Sequence, residues 1–178
     1  MESKKISLIN TICKKGFVGE GIEKINQDNY FIYENFVNNP NYIYLGVCDG
    51  HGLKGQDVSG YLCNNLPQKL SDKLIEEKTT DLEHSELFLI SKYINKIFTT
   101  IHEDLIANEE VDTKHSGSTC SSLIVTPERI ISANVGDSRC VLAKFDGVNW
   151  SALNLTRDHK PNEPNEKKRI EANGGIVE

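Results

Sequence analysis

Residues 42–52 read Tyr42-Ile43-Tyr44-Leu45-Gly46-Val47-Cys48-Asp49-Gly50-His51-Gly52. The first half is aromatic and β-branched, the composition of a buried strand. That strand is expected to end at Asp49, where glycines on both sides of His51 open a tight turn. Gly50 is expected to be free to take positive φ and to leave its carbonyl accessible. An aspartate, a bare carbonyl and a histidine meeting at one strand end can bind a hard metal ion and move a proton. Aspartate and glycine are also ordinary turn formers, and on these residues alone the turn reading stands beside the chemical one.

On the N-terminal side, Tyr30 to Tyr33 reads as a second strand. Asn26-Gln27-Asp28 at its start is either a turn or a second carboxylate offered at a strand end. The polar stretch Asn35 to Asn41, with Pro40, would let the two strands pair antiparallel. On the C-terminal side, Val58, Tyr61, Leu62, Leu66 and Leu70 recur at helical spacing, so a helix should start near 55–57. Pro67 is expected to end or kink it. Residues 76–86 read as a solvated linker. Leu87, Ile90, Ile94, Ile97, Ile101 and Leu105 then define a long amphipathic helix whose stripe is core, with His102 a surface residue beside it.

From Ser116 the period changes to two. Ser118 to Thr126 and Arg129 to Val135 read as a hairpin around Pro127-Glu128. Gly136-Asp137-Ser138-Arg139 turns into Cys140 to Phe145, and Asp146-Gly147 turns again into Val148 to Leu155. The whole block is expected to form one antiparallel meander. A last helix follows Pro164 and fills Glu166 to Asn173, with Gly174-Gly175 as its stop. Ile176-Val177-Glu178 looks like the opening of a further strand. Residues 1–15 form a mixed N-terminal segment in which Ile6-Ser7-Leu8-Ile9 is either a short strand or loose chain.

Composition narrows the function classes. The 178 residues are 38% hydrophobic and 26% charged, a globular mix, and carry a net charge of −6. An acidic balance without a basic stripe argues against nucleic acid as a partner. Cysteines at 13, 48, 63, 120 and 140 are odd in number and form no C-x-x-C pair, which reads as reduced thiols and argues against a zinc site. No apolar run reaches the ~18 residues of a membrane span, and no signal-peptide core or myristoylation start is expected. A cytoplasmic or nuclear location is the expectation.

Asp28, Asp49, Asp137 and Asp158 each fall at or beside an expected strand end. Carboxylates gathered there repel one another unless cations neutralise them. Oxygen donors without cysteine point to Mg²⁺ or Mn²⁺. Two such ions about 3.5–4 Å apart can share a water and lower its pKa for attack on a phosphoryl centre. His51 could then protonate the leaving alkoxide.

Asn26-Gln27-Asp28-Asn29-Tyr30 and Val47-Cys48-Asp49-Gly50-His51-Gly52 resemble the two N-terminal signatures of the metal-dependent protein phosphatases, the type 2C (PPM-type) serine/threonine phosphatases. Ser116-Gly117-Ser118-Thr119, Asn134-Val135-Gly136-Asp137-Ser138-Arg139, Thr156-Arg157-Asp158-His159-Lys160-Pro161 and Glu166 to Ile170 with Gly174-Gly175 match four further motifs in order. The resemblance covers about Gly16 to the end, so residues 16–178 are expected to be part of one catalytic domain. It implies an α+β fold, a four-layer αββα sandwich of two antiparallel sheets flanked by helices, incomplete at the C-terminus.

It also implies a binuclear Mg²⁺/Mn²⁺ centre. Asp49 would bridge two ions, the Gly50 carbonyl would bind one, and Asp28 would assist directly or through water. His51 would be the general acid, and Asp137 would attend a third, weaker ion. Asp158, Ser118 and Thr119 would be structural, and Cys48 would not be a nucleophile. The substrates implied are phosphoserine and phosphothreonine proteins, acted on by a monomer. Many members carry an arginine before the first acidic motif to hold the substrate phosphate. This chain has Ile22-Glu23-Lys24-Ile25 there, so Lys24 would substitute without the bidentate fork.

The family pattern continues past the paired glycines into a flap and two motifs that each supply a metal-binding aspartate, none of which lies in these 178 residues. The chain alone is therefore expected to have little or no activity. A non-catalytic, phosphatase-like binding or regulatory module is the alternative. A generic two-metal hydrolase of another fold would keep the aspartates but would not explain the motif order.

Overall fold

The computed structural model describes residues 8–17, 19–21 and 24–177. Ile6 and Ser7 of the suggested leading strand, and Glu178, lie outside the described residues. Leu8 and Ile9 are not in a strand, and neither are Ile176 and Val177.

The fold is α+β, with two antiparallel sheets and three helices among the described residues. Strands β1 (Asp28–Glu34), β2 (Ile43–Gly52), β4 (Cys120–Val125) and β5 (Ile130–Val135) lie side by side in that order, and β3 (Ser116–Ser118) pairs with the far end of β2. Helices α1 (Gly55–Glu76) and α2 (Leu87–Ala107) pack together, and α1 also lies on β1, β2 and β3. The core sits between these helices and the sheet. Leu66, Leu70 and Leu74 of α1 and Ile90, Ile97 and Ile101 of α2 meet Phe31, Tyr44 and Ile124 of the strands. Phe31 and Phe36 both pack edge-on or tilted against Tyr44, with ring centroids 4.9 and 5.1 Å away.

Strand alternation decides what faces outward. Phe31 points to the helices, whereas Tyr30 and Ile32 on β1 and Val47 on β2 are exposed on the opposite face. Asp28 and Asp49 share that open face by the same period.

Pro67 neither ends nor visibly divides α1, which continues nine residues beyond it to Glu76. The ring removes only the N–H that would have met the Cys63 carbonyl, and the burial of Leu66, Leu70 and Leu74 on both sides offsets that loss. The expected single meander is two hairpins in different sheets. β4 and β5 complete the large sheet, while β6 (Val141–Phe145) and β7 (Trp150–Asn154) pair only with each other. The chain is diverted at Gly136, whose φ is +97°. The Gly136 carbonyl accepts hydrogen bonds from the Asn134 side chain and the His159 N–H. Thr156 Oγ1 accepts the Cys140 N–H, so β6 starts on a new path. Helix α3 (Pro164–Ala172) starts at its proline as expected. No helix among the described residues is long and apolar enough to cross a membrane.

Candidate metal centre

β2 does not end at Asp49. It runs through His51 to Gly52, because β3 supplies partners opposite Gly50, His51 and Gly52. One register carries across the sheet: Val47 faces Ser121 and Gly50 faces Ser118, so Asp49 falls opposite Thr119. On the other side Asp49 faces Asp28 directly. Cys120 faces Val135, which brings Gly136 next to Thr119 and leaves Asp137 at the end of the same row. The row therefore reads Asp28, Asp49, Thr119, Gly136, and then Asp137.

Facing side chains in an antiparallel pair have Cβ atoms about 4.5–5.5 Å apart, and like charges there are destabilising. Partial desolvation of the carboxyl at the sheet surface raises Asp49 above the usual aspartate range, and the Asp28 carboxyl and the charge of Asp137 add to it, with His51 opposing. Asp49 is solvent-exposed, so the repulsion is worth about 1 kcal/mol or less. That is too little to unfold the sheet, and it is relieved by any cation placed between the carboxylates.

The residues around the aspartates act as clamps. The Asp49 N–H donates to Thr119 Oγ1 at 3.0 Å, and the Thr119 N–H donates to the Asp49 carbonyl at 2.9 Å. Thr119 Oγ1 also shares a 2.6 Å hydrogen bond with Ser138, the neighbour of Asp137. Gln27 ties β1 to the start of α1 by donating to the Gly52 carbonyl and to Gln56. Asn29 donates to Ser59 Oγ, which in turn donates to the Gln27 carbonyl. Of the amide-amide-acid run, only Asp28 is left for a ligand.

Gly50 differs from its expected role. Its φ is not positive, and glycine is required there by crowding. A Cβ at Gly50 would sit 2.3 Å from the Gln27 carbonyl oxygen and 2.4 Å from that of Gly55. His51 lies across from Gly117, and a Cβ on Gly117 would come within 2.7 Å of the His51 Nε2. Gly117 thus keeps space for the imidazole, a role that no local signal in the sequence reveals.

Asp158 is turned away from the row. Arg139 grips it with two hydrogen bonds of 2.8 and 2.7 Å, which pulls its carboxyl down to about 2. With His159 bonded to Gly136, this motif braces the turn that carries Asp137, in keeping with the structural role implied for it.

A cavity of about 440 Å³ opens beside Asp28 and Asp49, bounded by Ser138 and by Ile12, Cys13 and Lys14 of the N-terminal segment. Lys24 is not part of its lining, and its Nζ lies beside Gly16. Among the described residues no three histidine, cysteine or acidic side chains are close enough together to hold an ion as a set. The chain thus offers two facing carboxylates. Their oxygen-only chemistry fits Mg²⁺ or Mn²⁺, but as part of a coordination shell and not the whole of it.

The sequence matches the model of the protein phosphatase 2C family over residues 16–178. The chain belongs to the protein phosphatase 2C family. It is 33% identical over 168 residues to the "Probable protein phosphatase 2C 35" of Arabidopsis thaliana, covering 94% of this chain and 45% of that protein. A rice (Oryza sativa subsp. japonica) relative, "Probable protein phosphatase 2C 73", is 32% identical over 181 residues, covering 89% of this chain and 43% of its own length. The chain thus spans less than half the length of these relatives. In structure it resembles the serine-threonine phosphatase 2C of Toxoplasma gondii, with a TM-score of 0.61 at 20% identity over 85% of this chain and 55% of that one. A C. elegans sex determining protein matches with a TM-score of 0.62 at 21% identity, over 88% and 36% of the two chains. These structural likenesses speak for the fold. The Asp28–Asp49 pair lies at one end of the open sheet face.

Proposed function

We propose that the protein containing this chain is a metal-dependent serine/threonine phosphatase, with Asp28, Asp49 and the Gly50 carbonyl holding part of a binuclear Mg²⁺/Mn²⁺ centre and Asp137 attending a third ion. The observation that carries this reading is the facing pair Asp28–Asp49 inside a family match over 16–178. His51 lies two residues further along β2, where it lines the neighbouring cavity beside Gly117 and Leu62. Bound divalent ions would supply a low-pKa water and neutralise the phosphoryl oxygens. The chain's own residues do the rest. Asp28 and Asp49 set the negative field that draws the ions. Thr119 fixes the Asp49 backbone on its strand. Protonated His51 donates its proton to the serine or threonine oxygen as the P–O bond breaks. A basic side chain at the cavity holds the ester's phosphate. Lys24 was the expected candidate, but Lys14 is the cation that lines the cavity, and we assign the role to it first.

The decisive experiment measures Mn²⁺-dependent hydrolysis by the whole protein on a phosphothreonine peptide and on p-nitrophenyl phosphate. Asp49→Asn should abolish both activities. His51→Gln should cost about 10²-fold or more on the peptide and much less on the aryl ester, whose leaving group needs no proton. Equal losses on both substrates would remove His51 from the general-acid role. Lys14→Gln should raise KM more than Lys24→Gln does.

A second reading, a phosphatase-like binding module, is favoured by the incomplete shell of donors. Titration of Mn²⁺ into the 178-residue chain separates the two halves of the question. Weak binding here with tight binding by the whole protein supports the enzyme, and no binding by either supports the module.

A further inference from the structure

A second cavity, of about 550 Å³, opens between α1, α2 and the β2–β3 pair. Leu62, Leu66, Phe98, Ile101 and Ile106 give it an apolar wall. Among the described residues no aspartate, glutamate, lysine or arginine lines it. The cavity beside Asp28 and Asp49 is the opposite case, since those carboxylates and Lys14 make it a place for charge. His51 joins the two. It lines the apolar cavity, while Asp49, two residues back along β2, lines the charged one. Two strand residues span ~7 Å, so both cavities lie within reach of one short peptide.

The proton donor decides what enters the apolar side. A general acid must come within hydrogen-bond distance of the leaving oxygen. That oxygen is the side-chain oxygen of the serine or threonine, so the peptide that carries it lies on the His51 side of the phosphoryl group. An extended peptide advances at most ~3.6 Å per residue, which brings residues one and two positions from the phosphorylated one to the cavity beside His51. We infer that this cavity is a specificity pocket for a large apolar side chain next to, or one residue removed from, the phosphoserine or phosphothreonine. The inference rests on the proposed function, because it uses His51 as the proton donor. A cavity of this size accepts a leucine, methionine or phenylalanine side chain. A charged side chain there would lose its hydration and gain no partner. The apolar contact is the same before and during P–O cleavage, so it should lower KM more than it raises kcat.

The test measures Mn²⁺-dependent hydrolysis by the whole protein on phosphothreonine peptides. Leucine, serine or glutamate is placed singly at each of the two positions on either side of the phosphothreonine, with p-nitrophenyl phosphate as the substrate that has no flanking residue. At one position leucine should exceed serine by about tenfold in kcat/KM, mostly through KM, with glutamate lower still. Ile106→Asp, at an exposed position on the cavity wall, should erase that preference and leave p-nitrophenyl phosphate turnover unchanged. A flat profile at every position, with the aryl ester still turned over, overturns the pocket and leaves the phosphatase reading standing. A leucine preference that survives both Ile106→Asp and Phe98→Ala also overturns it, because the preference then arises elsewhere. No hydrolysis of either substrate removes the proposed function itself, and the pocket with it.

Discussion

Along β2, Tyr44, Gly46, Cys48 and Gly50 pack beneath the helices, while Val47, Asp49 and His51 between and beyond them stay open. One strand therefore carries two different constraints at a spacing of a single residue. On the covered face the limit is volume. A Cβ at Gly46 would press within 2.6 Å of the Phe31 ring, and one at Gly50 would strike two carbonyl oxygens. On the open face the limit is charge and donor placement, since Val47 is half exposed and Asp49 is held by hydrogen bonds through its backbone.

Breaking the covered face should have the largest effect. Gly50→Ala collides with backbone on two sides and should cost about 3 kcal/mol or more, read by urea unfolding with chelator present. A loss under about 1 kcal/mol would mean that β1 and α1 can separate, and the contrast between faces would fail. Next is Thr119→Val, which keeps the shape but strands the Asp49 N–H and the Ser138 hydroxyl. It should cost about 1–2 kcal/mol, and more in Mn²⁺ affinity than a distant substitution of equal stability cost.

Asp49→Asn should act in the opposite direction on the metal-free chain. The native state binds the Asp49 proton more tightly than the unfolded chain does, because partial desolvation and the Asp28 and Asp137 charges raise its pKa. Stability should therefore fall as pH rises from the ordinary aspartate value through the raised one. The asparagine variant should lose that slope and melt about 2 °C higher at pH 7, by thermal unfolding in EDTA. Asp158 has the reverse sign. Its contribution is complete above the ordinary aspartate pKa and is lost as pH falls toward about 2. Asp158→Asn should remove that acid-side loss. The smallest effect belongs to Val47→Ser, expected within about 0.5 kcal/mol in the 178-residue chain because that side chain is half exposed.

Much of this was legible before the fold was known. The α2 stripe from Leu87 to Leu105, the β4–β5 and β6–β7 hairpins and the start of α3 follow from local period and turn chemistry. Pro67 misled because propensity counts a lost hydrogen bond but not the packing on either side of it. The single meander failed at Gly136, where side chains distant in sequence, Asn134 and His159, redirect the chain. Gly50 reads in sequence only as free to take a positive φ, a local property, whereas the collision with Gln27 and Gly55 that requires glycine there needs three segments brought together.

The sequence by itself determined most of the elements, the candidate site residues Asp28, Asp49, His51 and Asp137, and the family to which the chain belongs, because period, turn residues and motif order are all written along the chain. Only the tertiary structure decided that Asp28 faces Asp49, that Thr119 binds Asp49 to Ser138, that Lys14 lines the cavity in place of Lys24, and that Cys48 falls opposite Cys120 behind the site. Those relations depend on strand register and helix docking, which arise when segments dozens of residues apart bury a common core, and no single stretch of sequence contains them.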